Sequence, residues 1–230
     1  MSLDWSLVLA TVPLLARGAW MTVRLSIATG LLALAGGAVL ALLSSARLPL
    51  LRGLAHAFIG AMRGIPPLVL ILIAFYVLPN LGLLLSPEAA GVMALAGYFS
   101  AYVAVALTGA LAAVPPGQTE AGLVVGMTPV QRLVRIVLPQ ALPIALPVLC
   151  GLLIGLMKET ALLSVISVGE LTFATKQAVS RTYAPFEVYL VAALLYWAIS
   201  IALESLARLL EHRATRFRRG TPALSEGRSR

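Results

Sequence analysis

Residues 25–46 read LSIATGLLALAGGAVLALLSSA, a run without a single Asp, Glu, Lys or Arg. As a helix rising 1.5 Å per residue it extends about 33 Å, enough to cross the roughly 30 Å hydrocarbon core of a bilayer. Further along the chain, 64–87, 89–119, 136–157 and 188–203 are free of those four residues too. Helical spans are therefore expected near 20–43, 54–78, 88–113, 140–160 and 186–209. Composition agrees. Of the 230 residues 60% are hydrophobic and 11% charged, and the mean hydropathy is +0.97. Soluble domains carry about 25% charged residues, which excludes a water-soluble globule with a polar shell.

Aromatic residues make up only 7%, and no sustained alternation of apolar and polar positions runs through the chain, which argues against an outer-membrane barrel. The single Cys150 cannot close an intramolecular disulfide and reads as a small buried side chain. Asp4 stands where a secretory signal carries positive charge, so no cleavable signal is expected.

Between the spans, 44–53 holds Arg47 and Arg52, 79–87 holds no cation, and 114–139 holds Arg132 and Arg135. After Glu204 come Arg208, Arg213, Arg216, Arg218, Arg219, Arg228 and Arg230. The positive-inside rule then places 44–53, 114–139 and the C-terminus in the cytoplasm and the N-terminus outside. Arg17, Arg24, Lys176 and Arg181 fall on the outer side against that trend. The net charge of +8 is concentrated in this tail, where it orients the protein and meets anionic headgroups. With a single aromatic, Phe217, among its arginines and no known fold around it, it does not read as a nucleic-acid surface. The chain divides into one membrane domain, 1–212, and a basic tail, 213–230, expected to be disordered. The stretch 159–185 is too short and too polar for a crossing with Glu170 inside it, and reads as a short helix or broken segment packed on the spans.

The longest cytoplasmic connection begins VPPGQTEAGLVVGMTPVQRLVRIVLPQALPIALP at Val114. From Thr128 to Leu138 the apolar residues Val130, Leu133, Val134, Val137 and Leu138 recur at helical spacing, with Gln131, Arg132 and Arg135 on the other face. Thr128 before Pro129 is a helix start, and Pro139 is expected to end the helix. A short helix lying across the cytoplasmic surface can be gripped by another protein.

This loop resembles the EAA motif of the membrane subunits of ABC importers: Glu-Ala-Ala, three residues, Gly, nine residues, Ile, one residue, Leu-Pro. Here Glu120, Ala121, Gly126, Ile136, Leu138 and Pro139 fall in register, with Gly122 in place of the second Ala. Pro116-Gly117-Gln118, Leu138-Pro139-Gln140-Ala141, Leu146-Pro147, Arg63-Gly64-Ile65-Pro66-Pro67-Leu68, Lys158-Glu159-Thr160-Ala161-Leu162, Gly18 and Thr22 are similar to the polar amino acid uptake permeases, over about residues 15–212. The resemblance implies an all-α, five-span transmembrane bundle of the ABC importer permease type in a bacterial inner membrane. It implies coupling to a separate ATPase through Glu120, Ala121, Gly126, Met127, Thr128, Arg132, Ile136, Leu138 and Pro139. The implied partners are ABC ATPase subunits, an extracytoplasmic amino-acid-binding protein, a second permease, identical or a sister chain, and the lipid bilayer itself.

Ionisable residues near or inside spans are costly and are candidates for function. Arg63, Lys158, Glu159 and Glu170 qualify. A carboxylate such as Glu159 can hold an ammonium, and Arg63 or Lys158 a substrate carboxylate. Pro66 and Pro67 free backbone carbonyls inside a span. The resemblance favours Lys158, Glu159 and Thr160, together with Arg63 and the Pro66 and Pro67 that follow it, as the lining of the substrate pathway. In one departure from the family pattern, Val105 and Thr108 replace a Glu and an Arg. No metal spacing, no phosphate-cradling Gly-rich loop and no catalytic constellation is present, so neither metal nor cofactor is expected in this chain, ATP and Mg belonging to the partner. The alternatives are an ion-coupled secondary transporter, which would need more mid-span acids, and a membrane-embedded enzyme or assembly factor.

Overall fold

The computed structural model describes residues 5–216, with side chains from Leu9 to Arg213, and no strand occurs among the described residues. The helices are α1 (Trp5–Ser44), α2 (Pro49–Gly64), α3 (Pro67–Leu72), α4 (Pro87–Ala112), α5 (Pro116–Val124), α6 (Pro129–Arg132), α7 (Leu138–Glu159), α8 (Leu171–Thr182) and α9 (Pro185–Arg216). Four stretches are long and apolar enough to cross a membrane: Leu9–Ser44, Pro87–Ala112, Pro129–Ile166 and Pro185–Arg213. The fifth expected span is not a straight helix. It is a pair, Pro49–Gly64 and Pro67–Leu81, bent by 107° at the break, and it completes a count of five when taken as one span.

The bend follows from local chemistry. Pro66 and Pro67 supply no N–H, and the residue before a proline is driven out of the helical region. Ile65 accordingly sits at φ −101°, ψ 132° and Pro66 at ψ 138°. Hydropathy over 54–78 registers the apolar content but not this change of direction.

α4 is the central span, burying 56% of its most apolar window, against 17% for the spans holding α7 and α9. Its buried positions are mostly small, among them Ala90, Gly91, Ala94, Ala101 and Ala104. In lipid there is no hydrophobic drive between helices, so small residues that let backbones approach carry the packing. Leu25, Ile71, Leu95, Phe99, Leu156 and Leu163 form the largest core, where α1, α3, α4 and α7 meet.

α1 has forty residues, about 60 Å by helical rise, and overshoots a bilayer. Its N-terminal half packs on α8 and α9, with Leu15 beside Leu171, Ala174, Ala178 and Val188. Gly18 makes the approach possible: a Cβ there would lie 2.7 Å from Ala174 Cβ and 2.9 Å from Leu171 Cα. The stretch 159–185 is the broken segment expected, a 3₁₀ run Thr160–Ile166 followed by α8. Helix α9 continues through the expected domain boundary at 212 to Arg216, and the rest of the basic tail, 217–230, lies outside the described residues.

Candidate functional site

Chemistry-bearing residues gather in three places. At the first, α5 ends in a glycine turn: Gly126 has φ +77°, the Gly126 N–H donates to Leu123 O at 3.0 Å, and the Met127 N–H donates to Gly122 O at 3.0 Å. This paired closure uses a left-handed residue just past the helix, where glycine has no Cβ penalty. Two residues on, Thr128 caps α6. The Gln131 N–H donates to Thr128 Oγ1 at 3.3 Å, and the Thr128 N–H donates to Gln131 Oε1 at 2.9 Å. The result is a rigid helix–turn–helix knuckle.

Its outer face is apolar and bare: Val124 is 88% exposed, and Leu123, Val125, Val130 and Val134 are exposed with it. Glu120 and Ala121 are exposed on α5, Met127 and Ile136 half-buried. Gly122 is buried, and a Cβ there would come within 2.8 Å of Ile136 Cδ1 and 3.0 Å of Arg132 Cγ. The two halves of the sequence motif therefore touch across the turn. Arg132 Nη1 reaches Thr119 O at 3.5 Å, while its Nε is buried without a partner among the described residues.

Pro139 does not end the helix as expected. A π turn over Leu133–Val137 carries the chain from α6 into α7, with the Leu138 N–H donating to Leu133 O. The wider turn shifts the hydrogen-bond register, so the missing proline N–H breaks no bond of the ladder. The same device precedes Pro79, where the Leu78 N–H donates to Ile73 O. The knuckle's second helix and the fourth span are thus one continuous helical path, Pro129–Ile166.

The second place lies at the bend between α2 and α3. Arg63 ends α2 and lays its guanidinium over the Tyr102 ring on α4, 5.3 Å from the centroid. Tyr102 OH and Tyr98 OH are 3.2 Å apart. Arg63, Tyr102 and Tyr98 thus form one run of contacts from α2 into α4. Val105, one turn beyond Tyr102, is exposed, and the Thr108 hydroxyl is turned back onto Ala104 O at 2.9 Å. Pro66 is exposed and Pro67 half-buried at the bend itself. Lys158 is exposed and Glu159 half-buried, and neither side chain makes a hydrogen bond or ion pair with any described residue. Thr160 is placed differently: it is fully buried and its hydroxyl donates to Met157 O at 2.7 Å, so it packs rather than faces a cavity. Tyr98 and Tyr102 were not singled out by sequence. Their only signal there was an i, i+4 pair of aromatic hydroxyls inside a charge-free run.

The third place holds Glu170, fully buried as the cap of α8. Its carboxylate accepts the Thr172 and Phe173 N–H groups at 2.8 Å each and the Tyr196 hydroxyl at 2.8 Å. Burial pushes the carboxyl above the usual carboxylate range, and these hydrogen bonds pull it back. Thr22 Oγ1 accepts the Leu171 N–H at 3.1 Å, so α1, α8 and α9 meet at this point. Every carboxylate contact is satisfied internally, the mark of a structural group. No group of three metal-ligating side chains occurs among the described residues.

Residues 33–216 match the family model described as "Binding-protein-dependent transport system inner membrane component". A probable amino-acid permease protein, YxeN, of Bacillus subtilis is 35% identical over 213 residues, covering 91% of this chain and 95% of that protein. The arginine ABC transporter permease protein ArtQ of Escherichia coli K12 is 33% identical, covering 89% and 96%. Among solved structures, a chain of an amino acid ABC transporter crystallised with histidines aligns with TM-score 0.87 at 32% identity over 93% of this chain and all of that one. A chain of the MetNI methionine ABC transporter shares the fold, with TM-score 0.66 at 23% identity over 86% of this chain.

Proposed function

The chain belongs to the family of binding-protein-dependent transport inner membrane components, as a multi-pass amino acid ABC transporter permease of the inner membrane, and we propose that it forms half of a translocation pathway for a polar amino acid. The observation that carries the mechanism is the bare apolar knuckle at 123–130, held rigid by Gly126 and the Thr128–Gln131 pair and continuous with α7. A knuckle of this kind seats in a cleft of a separate ATPase. When two ATPase subunits close on ATP, the knuckle is displaced, and α7 moves with it because the π turn leaves no break between them. Glu120, Ala121, Gly126, Met127, Thr128, Arg132, Ile136, Leu138 and Pro139 are the coupling residues in this reading.

Along the pathway, Arg63 faces the substrate carboxylate and Glu159 the ammonium, with Lys158 beside it and the Pro66–Pro67 bend shaping the wall. Tyr98 and Tyr102 join this set, because the Tyr102 ring carries the Arg63 guanidinium and Tyr98 is hydrogen-bonded to Tyr102. Thr160 supports the wall from behind. ATP and Mg are used by the ATPase, and this chain holds no cofactor of its own. Substrate arrives from an extracytoplasmic binding protein, and the second half of the pathway is a second permease, identical or a sister chain. The relatives give the ion-coupled alternative no support.

The test is mild-detergent purification of the tagged chain from its native membrane, with identification of the proteins that accompany it. An ATPase subunit at near-equal stoichiometry is the expected result. A chain that travels alone even after crosslinking would overturn the reading.

A further inference from the structure

Two openings meet on the exposed face of α1 formed by Ile27 and Leu31. One, about 580 Å³, lies between α1 and the first turn of α4. Its polar walls are Arg24 on one side and Ser86 and Glu88 on the other. The second, about 280 Å³, is apolar and runs between α1, α7 and α9 past Leu34, Leu153 and Leu203. Ile27 and Leu31 line both.

Arg24 and Glu88 are exposed, and neither makes a hydrogen bond or ion pair with any described residue. A guanidinium and a carboxylate that share one cavity without pairing suit a ligand that carries both an anion and a cation. Depth narrows the choice. Glu88 stands in the first turn of α4, and the coupling knuckle follows its other end, so the cavity sits at the membrane boundary opposite the knuckle. Charged groups at that depth meet lipid headgroups. A free zwitterion would use the polar cavity alone, whereas an acyl chain would also cover the adjoining apolar groove.

We propose that this site binds a zwitterionic phospholipid of the phosphatidylethanolamine type. Its phosphate sits on Arg24, its primary ammonium on Glu88, and one acyl chain passes over Ile27 and Leu31 into the groove between α1, α7 and α9. A guanidinium binds phosphate through two parallel N–H bonds, and a primary ammonium donates to a carboxylate where a quaternary one cannot. Phosphatidylglycerol offers the phosphate without the cation. The site is independent of the substrate pathway residues.

The test is native mass spectrometry of the purified transporter complex from bilayers with equal phosphatidylethanolamine and phosphatidylglycerol. The wild type is expected to retain one phosphatidylethanolamine per permease chain, favoured by about tenfold over phosphatidylglycerol, some 1.4 kcal/mol. Glu88→Gln should bring that ratio near one, Arg24→Ala should release both lipids, and Ile27→Trp should lower retention by blocking the groove. Glycerophosphoethanolamine, which has no acyl chains, should not displace the lipid. Should Arg24→Ala fail to assemble, the Glu88→Gln ratio alone decides. Equal retention of both lipids by the wild type, an unchanged ratio in Glu88→Gln, or displacement by the tail-free headgroup would each overturn the proposal.

Discussion

Leu123, Val124 and Val125 stand exposed at the end of α5, while at the opposite end of the bundle Glu170 is fully buried. The contrast extends to the turns. The α5–α6 turn uses Gly126 at its left-handed position, whereas the segment before α8 uses Ser167 at φ 62° and the one after it Tyr183 at φ 54°. Hydrogen bonds in the first region stay within the loop, among Gly122, Leu123, Thr128 and Gln131. In the second they join α8 to α1 through Thr22 and to α9 through Tyr196. The knuckle, the surface proposed to be gripped from outside, is stiffened locally and left apolar. A surface that holds three helices together satisfies its polar groups internally, while its two left-handed residues, Ser167 and Tyr183, stand exposed at either side of α8.

The largest separation of the two regions is expected from Gly126→Pro. Proline cannot reach φ +77° and removes the N–H that closes the turn, a local cost of about 3 kcal/mol. Since the loop is stitched to itself, the variant should insert at normal abundance and yet lose amino acid uptake by about tenfold or more. Normal uptake at normal abundance would break the comparison. Glu170→Ala should do the reverse. It strands two backbone N–H groups and the Tyr196 hydroxyl, costing roughly 2–3 kcal/mol, read as a lowered Tm of the detergent-solubilised chain. Tyr196→Phe removes one of these bonds and should cost about 1 kcal/mol in the same assay. Ser167→Gly should stabilise by roughly 0.5–1 kcal/mol by relieving the left-handed serine, leaving uptake unchanged. Smallest of all is Gly122→Ala. The clash it creates is with the ends of Ile136 and Arg132, which can give, so uptake and Tm should stay within about 0.5 kcal/mol of wild type.

What the sequence revealed follows the range of the interactions. Charge-free runs marked the spans because desolvation is decided residue by residue, and Gly126 and Thr128 marked the knuckle because caps are local. Hydropathy was silent on the 107° bend, since a vector cannot be read from an average. The proline rule failed at Pro139 because it assumes an i→i−4 ladder, and the π turn uses i→i−5. Tyr98 and Tyr102 stayed hidden because the Arg63 contact that marks them crosses from α2 to α4. Glu170 stood out as a costly acid, but its role depends on Tyr196, 26 residues away. Lys158 and Thr160, adjacent in sequence to Glu159, turned out to differ, one exposed and one sealed in the core.

The central claim is that the apolar knuckle is where an ATPase takes hold. Photo-crosslinking tests it most directly, with a benzophenone side chain at Val124 and, as the control, at Leu84, which is 84% exposed near the opposite end of the bundle. Illumination in intact cells, followed by identification of the adducts, should give an ATPase of the ABC type from position 124 and none from position 84. An ATPase captured from position 84, or absent from position 124 while the chain is transporting, would contradict the account.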